Sequence, residues 1–265
     1  MVKLVIDNIP IEIENGATIL EAAKKANIHI PTLCYFKELN EIGACRICVV
    51  EVKDNERLVA ACNTKAEDGM VIFTNSPRVR EARNVNIKLI LSEHDCYCTT
   101  CVRSGTCQLQ KVANDLNIFR NEYETRIERN KPHGDFPLVR DAGRCIKCMR
   151  CIQVCDKIQA LHVWEVQNTG SRTTVAVKEH KKLWETDCSL CGQCITHCPT
   201  GALQERDDTA KVWDALNDPE KIVIVQTAPA VRAALGEEFG LPIGTNVEGK
   251  MVAALRRLGF DQVFD

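Results

Sequence analysis

Sixteen cysteines occur among the 265 residues, and fifteen of them fall into spaced sets of three or four. Cys34, Cys45, Cys48 and Cys62 form the first set, with intervals of ten, two and thirteen residues. Cys98, Cys101 and Cys107 form a second, one ligand short, with His94 four residues upstream. Cys145, Cys148, Cys151 and Cys155 form the third, and Cys188, Cys191, Cys194 and Cys198 repeat its spacing 43 residues later. Cys96 is left over. Iron–sulfur clusters need thiolates converging on a compact core, and short Cys-x-x-Cys loops supply two or three at little ordering cost. Zinc sites seldom repeat four cysteines in this way. The chemistry implied is one-electron transfer.

The repeated runs have the Cys-x2-Cys-x2-Cys-x3-Cys spacing of bacterial ferredoxins, and Pro199 follows Cys198. In that arrangement the fourth cysteine of each run serves the other cluster. One 4Fe–4S cluster is therefore assigned to Cys145, Cys148, Cys151 and Cys198, and another to Cys188, Cys191, Cys194 and Cys155. Asp156 stands where the pattern has a second proline, which weakens a turn without touching ligation. The close central pair of the first set favours a 2Fe–2S cluster, with Gly43 and Ala44 leaving room for close backbone approach. The alternative there is a few buried structural cysteines. For the second set His94 competes with Cys96 as fourth ligand. Two-residue spacing from Cys98 makes joint chelation by Cys96 awkward, so His94 is the better-placed candidate. His29, His133, His162, His180 and His197 read as surface or capping residues. Lys147 and Arg150 lie in the Cys145–Cys155 run, while its counterpart has Ser189, Gly192 and Gln193. Positive charge favours the reduced cluster, so the Cys145 cluster is expected at the higher potential, unless both cations are solvated and screened.

These loops need elements to hold them. Residues 2–6 and 9–13 alternate apolar and polar positions around Asp7-Asn8, a hairpin pattern. Thr18 to Glu21 fits a helix capping box, with Leu20, Ala23 and Ala26 on one face. Strands are expected at 47–52 and 70–74, completing an α+β unit of residues 1–76. Ser76-Pro77 opens a helix running to about Ser92, which delivers His94. Residues 94–125 read as irregular and then helical, and Lys131-Pro132-His133-Gly134 as a linker, giving a second unit of residues 77–137. Strands at 161–166 and 173–177 form a hairpin inserted between the repeated runs of a third unit, residues 138–210. Beyond it, a strand at 221–226, helices at 230–235 and 248–258, and a strand beginning at Gln262 suggest a parallel α/β unit. Residues 211–265 thus read as the beginning of a domain that is not all here.

Composition narrows the class. The formal charge of −2, with scattered cations, gives no basic stripe for nucleic acid. No apolar run reaches the roughly 18 residues of a membrane span, and the N-terminus lacks a secretory leader pattern. A cytoplasmic setting, where thiols stay reduced, is expected. Aromatic residues are only 5% of the chain, so metal sites should supply part of the folding energy, above all between residues 94 and 205. No Gly-x-Gly-x-x-Gly or P-loop is present, so nicotinamide or flavin would bind a partner.

His94-x3-Cys98-x2-Cys101-x5-Cys107 and Gly105-Thr106-Cys107-Gln108-Leu109-Gln110 carry a resemblance. The first 210 residues resemble the electron-transfer region shared by the large iron–sulfur subunit of complex I, diaphorase subunits and large FeFe hydrogenases. That resemblance implies an α+β multi-domain chain: a β-grasp 2Fe–2S domain, a helical 4Fe–4S domain with one histidine and three cysteine ligands, and a two-cluster ferredoxin-like domain. Residues 226–232, 236–240 and 253–260 are similar to the opening of the FeFe hydrogenase catalytic domain. In that family the H-cluster, where H2 is interconverted with protons and electrons, hangs on four later cysteines. None follows Cys198 here. The expected cofactors are one 2Fe–2S and three 4Fe–4S clusters, with the H-cluster only in the missing part. Expected partners are flavin-bearing, NAD(P)H-oxidising iron–sulfur subunits, as in electron-bifurcating complexes, or ferredoxin, in a hetero-oligomer. The alternative is a standalone diaphorase-type or complex I-like subunit.

Overall fold

A computed structural model of the chain describes residues 1–124, 127 and 136–265. The expected linker at 131–134, with His133, lies outside the described residues. Two compact units emerge, Met1–Arg206 and Asp207–Asp265.

The larger unit begins with strands β1 (Val2–Ile6) and β2 (Ile9–Ile13), helix α1 (Ile19–Lys25), and strands β3 (Val49–Val52), β4 (Val59–Ala60) and β5 (Val71–Phe73). They form one five-stranded mixed sheet of order β2-β1-β5-β3-β4. Asp7 and Asn8 both take left-handed backbone angles, as a tight two-residue hairpin requires. Thr18 and Glu21 make the reciprocal capping box expected of them. Helix α1 lays Ile19, Leu20, Ala22 and Ala23 on the sheet, where Leu4, Ile6, Val50 and Ile72 close a core with almost no exposure. Cys48 and Cys62 belong to that core, so the metal-binding loops are anchored by hydrophobic burial on one side.

Helix α2 (Pro77–Ser92) starts on Ser76, whose hydroxyl accepts from Val79 N, with proline in the first turn. Helix α3 is Gln108–Asp115. Ile87 of α2 and Leu109, Val112 and Ala113 of α3 pack with Leu33 and Ile47 of the cysteine loops. The remaining elements are β6 (Leu138–Arg140), α4 (Arg150–Val154), β7 (Trp164–Gln167), β8 (Thr174–Val177), α5 (Gln193–His197) and β9 (Leu203–Glu205). Strands β7 and β8 pair antiparallel as the inserted hairpin. Strands β6 and β9 also pair antiparallel, closing the ends of the doubled-cysteine region. That pairing joins segments too short and too distant to announce themselves by periodicity.

The smaller unit holds α6 (Thr209–Leu216), β10 (Ile224–Gln226), α7 (Val231–Glu238), α8 (Glu248–Leu258) and β11 (Gln262–Phe264). Strands β10 and β11 run parallel, Ile224 opposite Gln262, as the strand–helix–strand pattern anticipates. Helix α6 was not among the expected elements; its apolar positions carry no buried residue. Among the described residues no helix is long and apolar enough to cross a membrane.

Candidate metal centres

All sixteen cysteines are free thiols. The first set is assembled by the loops between α1 and β5. Cys34 N donates to Cys45 Sγ at 3.4 Å, and Cys45 N donates to Cys34 Sγ at 3.5 Å. The thiols also associate in pairs. Hydrogen bonding with Cys34 holds Cys45 down to about 6, and the same contact pushes Cys34 far up. Cys62 likewise lowers Cys48 and is itself raised. Two neighbouring pairs, Cys34 with Cys45 and Cys48 with Cys62, are the donor arrangement that two iron atoms would need. Gly43 sits at φ +66° with its α-carbon against Asn63, where a β-carbon would fall 2.9 Å from the amide. The left-handed backbone favours glycine there, and an added β-carbon would oblige the Asn63 side chain to shift.

The doubled runs show their repeat in the backbone. Lys147 and Met149 are left-handed, and so are their counterparts Leu190 and Gly192. Alternating left- and right-handed residues turn successive N–H groups inward, a nest suited to a negatively charged group. Cys145, Cys148, Cys151 and Cys198 line one cavity. Cys155, Cys188, Cys191 and Cys194 line another. The fourth cysteine of each run thus faces the other run's cavity. Burial pushes Cys148 and Cys194 up to about 12 and raises Cys145, Cys151 and Cys155 as well. Thiols in such surroundings stay neutral until a metal displaces their protons. Val163 N reaches Cys155 Sγ at 3.4 Å, an N–H···S contact of the kind that tunes cluster potentials.

His94 follows helix α2 and is only 7% exposed. Its Nδ1 is buried without a hydrogen-bond partner. Desolvation lowers its basicity, keeping the ring neutral and able to ligate. His94, Cys98 and Cys107 line one cavity, and Cys96 also borders it, its thiol donating to the His94 carbonyl at 3.3 Å. Cys101 does not line that cavity; its sulfur faces Gly201, beyond Cys198. The segment after Cys198 is tied to this region, since Gln108 N donates to Pro199 O and the Thr200 hydroxyl to Arg144 O.

Among the described residues no three His, Cys, Asp or Glu side chains gather tightly enough to hold one metal ion. The thiols stand around enclosed spaces instead. The two cations of the Cys145 run have different fates. Lys147 pairs with Glu93 at 2.5 Å. Arg150, 4% exposed, is buried and donates to the carbonyls of Leu33, Cys34 and Tyr35. Asn40 and Lys157, which the spacing argument passed over, also reach across, Lys157 to the Leu39 carbonyl.

Four family profiles match successive stretches: a 2Fe-2S iron-sulfur cluster binding domain at residues 1–77 and an NADH-ubiquinone oxidoreductase-G iron-sulfur binding region at 83–122. A 4Fe-4S dicluster domain covers 144–202, and the C-terminal domain of the iron only hydrogenase large subunit matches 221–265. The NADP-reducing hydrogenase subunit HndD of Solidesulfovibrio fructosivorans is 44% identical over all of this chain and 46% of its own length. Iron hydrogenase 1 of Clostridium pasteurianum is 37% identical, again over all of this chain and 46% of its own. A chain of an NAD+-reducing [NiFe]-hydrogenase, in the H2-reduced state, superposes with a TM-score of 0.71 at 26% identity, covering 77% of this chain and 87% of that one. The chain spans about half the length of the two hydrogenase relatives it matches along its whole extent.

Proposed function

We propose that this chain, homologous along its whole length to iron-only hydrogenase large subunits, is the electron-relay portion of an FeFe hydrogenase subunit. The observation that carries the reading is the pair of cavities, each lined by three cysteines of one run and one of the other. Cys34, Cys45, Cys48 and Cys62 would hold a 2Fe–2S cluster, one neighbouring pair to each iron. His94, Cys98, Cys101 and Cys107 would hold a 4Fe–4S cluster. Cys145, Cys148, Cys151 and Cys198 would hold a second, and Cys188, Cys191, Cys194 and Cys155 a third. The clusters would supply reversible one-electron chemistry.

The protein's own part is to position the thiols, exclude water and set potentials. Residues 1–76, 77–137 and 138–210 are read as three cluster-bearing domains, and 211–265 as the beginning of the H-cluster domain. The match at 221–265 to the iron only hydrogenase domain favours this over a standalone diaphorase or complex I-like subunit. These residues are read as the electron relay, with no cysteine after Cys198 to ligate an H-cluster. Partners are read as NAD(P)H-oxidising flavoprotein subunits, because one relative is an NADP-reducing hydrogenase subunit; ferredoxin is the simpler donor. The setting is read as cytoplasmic.

Anaerobic reconstitution with iron and sulfide tests the reading. Iron, acid-labile sulfide and EPR at falling temperature are expected to report one 2Fe–2S and three 4Fe–4S clusters. A colourless, zinc-loaded protein would overturn it.

A further inference from the structure

One wholly buried side chain stands between the first set of thiols and the cavity of Cys145, Cys148, Cys151 and Cys198. Asn40 is 0% exposed. Its Nδ2 donates to the carbonyl of Cys34 at 2.7 Å and to the carbonyl of Cys148 at 2.9 Å. Both partners are acceptors only, so the orientation of the amide is fixed by them. Its backbone is equally fixed: Phe36 N donates to Asn40 O at 3.0 Å, and Asn40 N to Phe36 O at 2.8 Å. Arg150 holds the other side of the same loop through Leu33, Cys34 and Tyr35. The Cys34 carbonyl therefore accepts from both.

We propose that the Asn40 amide is the electronic bridge between the two sites, a hydrogen-bonded route from Cys34 to Cys148 through one nitrogen. The inference rests on the reading that both cysteine sets hold their clusters. Oδ1 of Asn40 is buried and unpartnered. Leaving a buried acceptor unpaired costs about 1–3 kcal/mol, a penalty that an apolar side chain filling the same space would not carry. What the amide supplies is continuity. One electron would leave a reduced cluster held on the Cys34 side, oxidising it by one, and would reduce by one a cluster held on the Cys148 side. No bond is made or broken and no proton moves, since an amide has none to give at neutral pH. Arg150, a permanent cation, keeps the loop in register during the exchange.

The test uses the full chain with its clusters in place. Pulse-generated methyl viologen radical delivers one electron, and rapid-freeze EPR follows its redistribution between the 2Fe–2S and 4Fe–4S signals. Asn40→Leu exchanges the N···O approaches of 2.7 and 2.9 Å for van der Waals separations of roughly 3.5–4 Å, and the rate is expected to fall severalfold. Both midpoint potentials should stay in place. Asn40→Ser, which can donate to only one carbonyl, should give an intermediate rate. A wild-type rate in either variant with both signals intact overturns the bridge. Loss of a cluster signal in both variants also overturns it, because Asn40 would then be scaffold alone. If the wild-type chain lacks the 2Fe–2S signal, the cluster assignment fails and the bridge falls with it.

Discussion

Gly201 offers a test of whether Cys101 binds metal. Its backbone is not left-handed, so alanine is conformationally acceptable, yet an added β-carbon would lie 2.7 Å from Cys101 Sγ and 3.3 Å from Val102 Cγ2. Carbon–sulfur contact at that distance is untenable, and something must move. A free cysteine would rotate its thiol away, a change of rotamer costing about 0.5–1.5 kcal/mol at most. A sulfur bonded to iron has no such freedom. The strain then falls on the cluster or on the Pro199–Ala202 backbone, and overpacking of this kind costs about 1–3 kcal/mol. That corresponds to roughly a 5- to 150-fold weaker hold on one cluster. The assay is the rate at which an iron chelator strips each EPR-resolved cluster in Gly201→Ala and wild type. The His94-linked cluster should leave faster while the 2Fe–2S signal persists. Gly249→Ala, where nothing lies within 4 Å, serves as the control. An unchanged stripping profile in Gly201→Ala would refute ligation by Cys101.

Cys198→Ser should abolish the EPR signal of the Cys145 site and spare that of the Cys188 site, and Cys155→Ser should do the reverse; potentiometric EPR distinguishes the two. His94→Ala should remove one 4Fe–4S signal that Cys96→Ala leaves intact. Burial depresses the His94 pKa below its ordinary 6.5, so the folded state takes up fewer protons there than the unfolded chain. Its stabilising effect is present above that pH and declines as the pH falls below it; His94→Cys should blunt the acid loss of that cluster, read by absorbance between pH 7.5 and 5. Arg150→Met should lower the potential of the Cys145 site. A unit charge acting over ~8 Å at an effective dielectric constant of about 20 is worth roughly 2 kcal/mol, or roughly 90 mV for one electron. Arg150→Lys should restore most of that. Removing iron should collapse the circular dichroism of the chain, since burial alone leaves the region from 94 to 205 under-supported.

The cysteines that share the two cavities were largely legible because three of each four lie within seven residues, which needs no knowledge of the rest of the fold. The capping residues Thr18 and Ser76 marked two helices for the same reason. What escaped was long-range. Asn40 meets Cys148 across 108 positions, and nothing in its neighbourhood distinguishes it from any loop asparagine. Arg150 was visible as a charge near a cluster run, but its burial depends on three carbonyls more than 100 residues away. One signal was available and unused. Gly192 stands opposite Met149 in the repeat, and a glycine at that place points to the left-handed turn that both residues adopt.

The crossing of Cys155 and Cys198 between the two cavities also makes the intervening chain a closed polymer loop, pinned at both ends by the same pair of sites. The entropy of closing a flexible loop rises only with the logarithm of its length, about 0.6 kcal/mol per doubling. The β7–β8 hairpin lies inside that loop and pairs chiefly with itself. Loop entropy therefore sets little limit on its length; what constrains the tip is its setting, since Gly170 and Ser171 line a cavity with Cys45 and Cys145.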